Sequence, residues 1–113
     1  MKKPDGGGAD LLYVFGPFLV DPVRRLLRHQ GDVVPLAPKA FEVLLALIER
    51  RDRIVEKNEL LRAVWPNAFV EENNLARHIS TLRKVFQERI TEHDYIVTVP
   101  GRGYRFVATL QEL

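Results

Sequence analysis

The hydrophobic pattern changes its period twice along the chain, and this change restricts the possible folds more than any other feature. Up to Leu36 the apolar residues fall in short runs separated by Gly-Pro, Asp-Pro and Gln-Gly-Asp, which is typical of strands joined by tight turns. From Pro38 they recur at helical spacing, and a β-branched run begins near Tyr95. The chain is therefore expected to be an α+β protein whose helices lie between two groups of strands.

The strand-like segment, residues 11–36, predicts an antiparallel meander of three or four strands. Three helices should follow, over residues 38–51, 56–65 and about 71–87, with Pro66 ending the second helix. Residues 95–108 contain two strand-like runs around Pro100-Gly101-Arg102-Gly103, so they predict a β-hairpin with a four-residue loop and Arg102 at its tip.

The third helix has two faces of opposite character. At about 100° per residue its large apolar residues fall within an arc of about 60°, which must face a core; they are Leu75, Ile79, Leu82 and Phe86. The opposite arc, about 100° wide, is polar and carries no acidic residue; it holds Asn73, Arg77, Ser80, Thr81 and Lys84. Such a face suits hydrogen bonding to base edges in a major groove, which admits one α-helix.

Charge is distributed unevenly. The chain has a net charge of +2, with 11 basic and 11 acidic residues before position 73 and six basic against three acidic over residues 73–109. Arg102 in this basic part would suit a narrow minor groove, whose negative potential attracts arginine. Elsewhere, Arg50 and Arg51 are interpreted as solvated side chains.

Length and composition exclude several classes of protein. The 113 residues are enough for one domain, which we expect over residues 11–113. Residues 1–10 are expected to form a flexible, glycine-rich lead. This lead does not resemble a signal peptide. Without cysteine there is neither a disulfide framework nor a thiolate metal site, and no apolar run approaches a membrane span. We find no nucleophile–base pair, phosphate loop or metal cluster. We therefore expect a non-enzymatic cytoplasmic protein with no cofactor and no membrane contact.

Several motifs also resemble a known family. Their order matches the DNA-binding domain of OmpR/PhoB-type regulators, most closely the N-terminal domain of CadC- and ToxR-like one-component transcription regulators. The similarity covers about residues 15–107. It rests on Leu-Ala-Pro-Lys-Ala-Phe-Glu from position 36, Val-Glu-Lys-Asn-Glu-Leu-Leu from 55, Val-Trp-Pro from 64, His-Ile-Ser-Thr-Leu-Arg-Lys from 78, and Thr-Val-Pro-Gly-Arg-Gly-Tyr-Arg-Phe from 98.

This resemblance implies a winged helix-turn-helix fold that binds double-stranded DNA for transcription regulation. Helix 71–87 would be the recognition helix and 95–108 the wing. It also implies that segment 65–70 contacts RNA polymerase and that the N-terminal sheet helps copies pack on repeated half-sites. Together with the polar face, it gives an expected DNA-binding set of Asn73, Asn74, Arg77, His78, Ser80, Thr81, Arg83, Lys84, Thr98 and Arg102. His78 is interpreted either as a phosphate contact or as a packed side chain.

The sequence departs from the family pattern at the start of the first helix. Relatives often have a capping box there, whereas Ala37 and Ala40 occupy the two partner positions. Restoring both residues, as Thr and Glu, is expected to stabilise the domain. Two other functions stay open. A protein-binding winged helix would show apolar anchors on the third helix. The weaker alternative is a domain that binds double-stranded RNA or single-stranded DNA. Binding of single-stranded DNA would usually need exposed aromatic residues.

Overall fold

The computed structural model describes residues 11–89 and 95–113, so the expected lead at 1–10 lies outside the described residues. The chain divides into two compact units, Met1–Leu36 with Thr109–Leu113, and Ala37–Ala108. In chain order the elements are β1 (Tyr13–Phe15), β2 (Phe18–Asp21), β3 (Leu26–His29), β4 (Asp32–Val34), α1 (Pro38–Glu49), β5 (Val55–Glu56), α2 (Lys57–Val64), α3 (Glu72–Arg89), β6 (Ile96–Val99), β7 (Gly103–Phe106) and β8 (Gln111–Glu112).

The first unit is an antiparallel sheet with strand order β4-β3-β2-β1-β8. Its first four strands confirm the predicted meander. Between β3 and β4 a two-residue turn has Gln30 and Gly31 at φ 50° and 92°, the two positive values of a type I′ hairpin. The fifth strand, β8, was not predicted; it pairs with β1 through Gln111 and Glu112.

The second unit contains the three helices. All three begin and end within two residues of the predicted positions, with α1 ending at Glu49. Both α2 and α3 pack on α1, and they also pack on each other. The predicted apolar stripe of α3 is buried, each member being at most 2% exposed: Leu75, Ile79, Leu82 and Phe86.

The start of α1 confirms one expectation and argues against another. Pro38 stands in the first turn, and Ala37 makes no side-chain capping bond, as the sequence indicates. Ala40, however, is completely buried. A glutamate at this position would bring a charged group into the core, so this burial argues against the benefit expected from a complete capping box.

The predicted hairpin is part of a second sheet of three strands, ordered β5-β7-β6. Gly103 pairs with Val99 inside the ladder, so the loop has three residues, 100–102, and not the four expected. On its other side Gly103 pairs with Glu56 of β5. A Cβ at position 103 would collide with the carbonyl oxygen of Val55 and lie 2.9 Å from Cα of Glu56. This glycine is therefore required by the close approach of β5, a strand that the sequence did not predict.

Candidate nucleic-acid interface

The outer face of α3 is the main candidate surface. The five side chains predicted to lie opposite the core are all exposed: Asn73, Arg77, Ser80, Thr81 and Lys84. Three others from the expected set, Asn74, His78 and Arg83, lie at the margins of this face and are half-buried. The surface offers cationic and neutral hydrogen-bonding groups and no large apolar group, which suits nucleic acid better than an apolar partner.

An ion pair at the first turn of α3 links it to α2. Nζ of Lys57, the first residue of α2, lies 3.1 Å from Oε1 of Glu72. Glu72 also stands at the positive end of the α3 dipole, where a carboxylate is favourable. The ion pair is largely exposed and therefore contributes little stability, but it brings the start of α2 next to Asn73, the first residue of the polar face.

Thr81 has part of its hydrogen-bonding capacity occupied within α3. Its hydroxyl donates to the carbonyl oxygen of Arg77, with an O–O distance of 3.1 Å. This bond to the preceding turn uses the hydroxyl proton. The Thr81 oxygen can still accept a bond and its methyl group can make apolar contact, for example with a thymine methyl group.

The structure places His78 against the aromatic side chain at the end of α2. Its ring stacks on Trp65 with centroids 5.8 Å apart and planes at 28°. Lys39 approaches the same indole, its Nζ 5.8 Å from the ring centroid, and donates to the carbonyl oxygen of Val64 at 2.8 Å. Burial, and secondarily the charge of Arg77, lower the pKa of His78. Of the two interpretations, the packed side chain fits this geometry.

The wing consists of β6, β7 and the loop between them. Gly101 adopts φ 75° in this loop, and the Arg102 amide donates to the carbonyl oxygen of Val99 at 3.0 Å. The Arg102 carbonyl accepts from the amide of Lys57 at 3.1 Å, which fixes the tip to the start of α2. The Arg102 side chain is 58% exposed, and its Nη2 lies 4.0 Å from Oε2 of Glu56. An exposed pair at this distance is weak, so the guanidinium remains available to an anion.

Arg83 and Thr98 are brought into direct contact. Nη2 of Arg83 donates to Oγ1 of Thr98 at 2.6 Å and to the carbonyl oxygen of Ile96 at 3.1 Å. Nε of Arg83 donates to the same carbonyl at 3.3 Å. The sequence motifs identified both residues as candidate DNA contacts but gave no sign that they bond to each other, since they are 15 residues apart.

Sequence reasoning missed two features of this surface. Arg105 is exposed on β7, opposite Val97 in the ladder, and the alternation with buried Tyr104 and Phe106 could have identified it as a wing cation. Phe69, between α2 and α3, is fully exposed at 102%. Composition gave no warning of this, because a phenylalanine next to a valine usually suggests core. Over residues 11–89 and 95–113 no group of three His, Asp or Glu side chains could hold a metal ion, and no helix there is long and apolar enough to cross a bilayer.

Known proteins share both the sequence and the fold. Residues 25–106 match the family described as "Transcriptional regulatory protein, C terminal". The chain is 43% identical over 94 residues to the transcriptional regulator HilA of Salmonella typhi, covering 83% of this chain and 17% of HilA. The chain therefore spans about a sixth of that relative.

Among solved structures, the DNA-binding domain of E. coli CadC superposes with a TM-score of 0.79 at 26% identity, covering 91% of this chain and 98% of CadC's domain. The Klebsiella pneumoniae RstA DNA-binding domain, solved in complex with the RstA box, gives a TM-score of 0.69 at 29% identity, with 84% and 95% coverage. Fold and surface thus define a winged-helix domain of the class that binds DNA in bacterial transcriptional regulators. The chain belongs to the OmpR/PhoB-type family of transcriptional regulatory domains.

Proposed function

We propose that residues 11–113 act as one domain that binds specific double-stranded DNA sequences, with α3 in the major groove and the wing at the minor groove. The observation that carries this proposal is the exposed polar face of α3, which presents Arg77 and Lys84 among neutral hydrogen-bonding side chains. The crystal structure of RstA with its DNA box supports it. We infer that the domain acts in the cytoplasm, where bacterial DNA is accessible, and that it has no catalytic role.

Within this proposal the predicted residues divide into three groups. Asn73, Arg77, Ser80, Thr81 and Lys84 are exposed on α3 and would contact base edges or neighbouring phosphates. Arg102 would enter the minor groove. Asn74, His78, Arg83 and Thr98 have less free surface or are engaged in packing and hydrogen bonds, so their contribution would be to phosphate contacts or to the shape of the surface.

The proposal that α3 contacts base edges is tested by selecting bound sequences from a random pool of DNA duplexes. Arg77 can donate two bonds to the O6 and N7 atoms of a guanine. Arg77→Ala should therefore weaken binding to the preferred site by about 1–3 kcal/mol and relax the preference at one base position. Arg28→Ala is a suitable control, because Arg28 lies in β3 and donates to the carbonyl oxygen of Gly31 at 2.9 Å. If Arg77→Ala selects the same motif as the unmodified protein, α3 does not read bases through this face.

A contact with RNA polymerase through segment 65–70 is a second part of the proposal. Its support is Phe69, whose ring is fully exposed beside a groove of about 200 Å³ lined by Leu61, Trp65 and Val70, among others. An apolar anchor of this kind is typical of protein interfaces. Phe69→Ser should reduce transcription from a target promoter while leaving DNA affinity unchanged. A loss of both would instead indicate a role for Phe69 in DNA binding or folding.

We also propose that copies of the domain bind repeated half-sites, as the family resemblance implies. Selected sequences should then contain the same motif twice in direct orientation. A motif that occurs only once in the selected pool, with binding by a single copy, would contradict this part of the proposal and leave the others intact.

A further inference from the structure

The clearest feature that DNA reading alone does not explain is the side-chain link between the recognition helix and the wing. Three hydrogen bonds run from the guanidinium of Arg83 on α3 to β6, two to the Ile96 carbonyl oxygen and one to Thr98 Oγ1. The shortest, between Nη2 and Oγ1, is 2.6 Å. Arg83 is half-buried and its two bonds to the Ile96 carbonyl oxygen are partly shielded from water, whereas its bond to Thr98 is exposed.

Arginine is suited to such a link. Its guanidinium is planar and presents several N–H donors in a fixed fork, and here Nε and Nη2 address two acceptors that are two residues apart on one strand. A lysine carries the same charge but offers only a compact point donor on a flexible stem. A lysine at position 83 would therefore keep the charge of Arg83 but would not reproduce its hydrogen-bonding geometry.

The bonds also affect what the two residues can offer to DNA. Both protons of the Arg83 Nη2 group and the proton of Nε are directed at β6. Thr98 Oγ1 accepts from Arg83, which leaves it one lone pair and its own proton for other partners. Three of the five N–H donors of Arg83 are thus used within the protein, two bonds going to Ile96 and one to Thr98.

The strand that Arg83 holds leads directly to the wing tip. β6 ends at Val99, whose carbonyl oxygen accepts from the amide of Arg102 at 3.0 Å. From there the Arg102 carbonyl is bonded to the first residue of α2. In addition to the pairing of β7 with β5, the position of Arg102 relative to α3 is therefore constrained by the Arg83 bonds to β6 and the Lys57 bond to the tip.

From this geometry we propose that Arg83 is a positioning residue that sets the wing against the recognition helix, so that Arg77 and Arg102 can engage DNA together. The proposal rests on the DNA-binding function proposed above and deepens it. Arg83 then contributes to affinity through Arg102, with Thr98 as its acceptor. A residue that simply neutralised a phosphate would contribute independently of Arg102.

A double-mutant cycle distinguishes the two roles. The four proteins are the unmodified domain, Arg83→Lys, Arg102→Ala and the double variant, each titrated against a selected duplex at matched salt. If Arg83 positions the wing, the fold-loss caused by Arg102→Ala should be smaller by about threefold or more in the Arg83→Lys background. The control cycle replaces Arg83→Lys with Lys84→Ala, a neighbouring exposed cation of α3, and should be additive.

Thr98→Val provides a second, charge-neutral variant. It removes the acceptor of the 2.6 Å bond while keeping a β-branched side chain that suits a strand. It should couple to Arg102→Ala in the same direction, and hydrogen exchange of the β6 and β7 amides should be faster in the DNA-free variant. This measurement also reports on the link if Arg83→Lys folds poorly.

The outcomes separate this proposal from the proposed function. Additivity of both Arg83→Lys and Thr98→Val with Arg102→Ala, in a domain that binds its selected duplex, overturns the positioning role and leaves DNA binding intact. A salt dependence that falls by about 0.9 in log–log slope on Arg83→Ala in the Arg102→Ala background would identify Arg83 as an independent phosphate contact instead. Failure of the unmodified domain to bind any duplex selectively would overturn the proposed function itself.

Discussion

At the scale of single residues, Glu59 of α2 connects three parts of the second unit. Its carboxylate accepts from Nη1 and Nη2 of Arg53 at 2.8 and 2.6 Å, and from Nε of Arg50 at 3.0 Å. Arg50 also donates to the carbonyl oxygen of Ala46 at 3.1 Å, in the last turn of α1. The expectation of a merely solvated Arg50 is therefore wrong. The hydrogen bonds from Arg53, and then the one from Arg50, lower the pKa of Glu59 to about 2.

Replacing Glu59 should produce a stability loss that depends on pH. Because the pKa of Glu59 is depressed from 4.5 in the folded state, the ionised carboxylate stabilises the fold fully above pH 4.5. This contribution is lost as the pH falls towards 2. Glu59→Gln should lower the free energy of unfolding by about 1 kcal/mol at pH 7, an amount that reflects partial exposure. Urea unfolding at pH 7, 4 and 2.5 measures this.

The control is Glu49→Gln, since Glu49 is 51% exposed and lies 3.9 Å from Arg50. It should change stability little at any pH. A Glu59→Gln deficit of constant size from pH 7 to pH 2.5 would show that the variant disturbs packing and that the ion pairs contribute nothing.

At the scale of elements, the sequence predicted those helices and strands whose apolar residues recur with a regular period. The α3 stripe and its polar face followed from residue spacing alone, and proline marked the start of α1 and the end of α2. Two-residue strands have no period, so β5 and β8 could not be recognised. Their existence depends on pairing with β7 and β1, which are far away in the chain. The contact of Arg83 with Thr98 was unpredictable for the same reason, although each residue was identified as part of the site.

The missing N-cap of α1 predicts opposite changes in stability for substitutions at Ala37 and at Ala40, three residues further along. Ala37 is exposed with φ −59° and ψ 143°, so a hydroxyl there can accept from a free amide of the first turn. Ala37→Thr should raise the free energy of unfolding by about 0.5–2 kcal/mol. Adding Ala40→Glu should remove this gain, because Ala40 is fully buried. Thermal melting of the single and double variants tests both statements, and a double variant more stable than Ala37→Thr would show that the glutamate finds a path to solvent.

Two glycines of the wing should differ sharply in their tolerance of alanine. At Gly101 a Cβ meets no atom within 4 Å, so the cost of Gly101→Ala is the strain of φ 75°, about 1–2 kcal/mol. At Gly103 a Cβ would collide with the backbone of β5, so Gly103→Ala must separate β5 from β7. Gly103→Ala should therefore destabilise the fold more than Gly101→Ala and weaken DNA binding more. Equal stabilities of the two variants would contradict the close β5–β7 approach.

At the scale of the whole molecule, charge and topology coincide. The chain leaves the first sheet after β4, forms the helices and the wing, and returns to the first sheet at β8. Up to position 72 basic and acidic residues are equal in number, and the excess of six over three lies in residues 73–109. This segment contains most of α3 and the whole wing. The positive potential that attracts a polyanion is thus concentrated in the two elements proposed to contact DNA.

This arrangement predicts how strongly binding depends on salt. Among the side chains of α3 and the wing whose exposure the structure describes, the exposed cations are Arg77, Lys84, Arg102 and Arg105. We expect Arg77 to contact a base and each of the other three cations to neutralise one phosphate. At about 0.9 per phosphate, the log–log slope of affinity against salt should then have a magnitude of about 3. Arg105→Ala and Arg102→Ala should each reduce it by about 0.9, whereas Arg77→Ala should weaken the preferred site with almost no change in slope. Titrations of the selected duplex at several salt concentrations measure these slopes. A slope that falls equally for Arg77→Ala and the wing variants would mean that α3 contacts DNA phosphates and not base edges. The specificity of the domain would then have to come from the shape of the DNA.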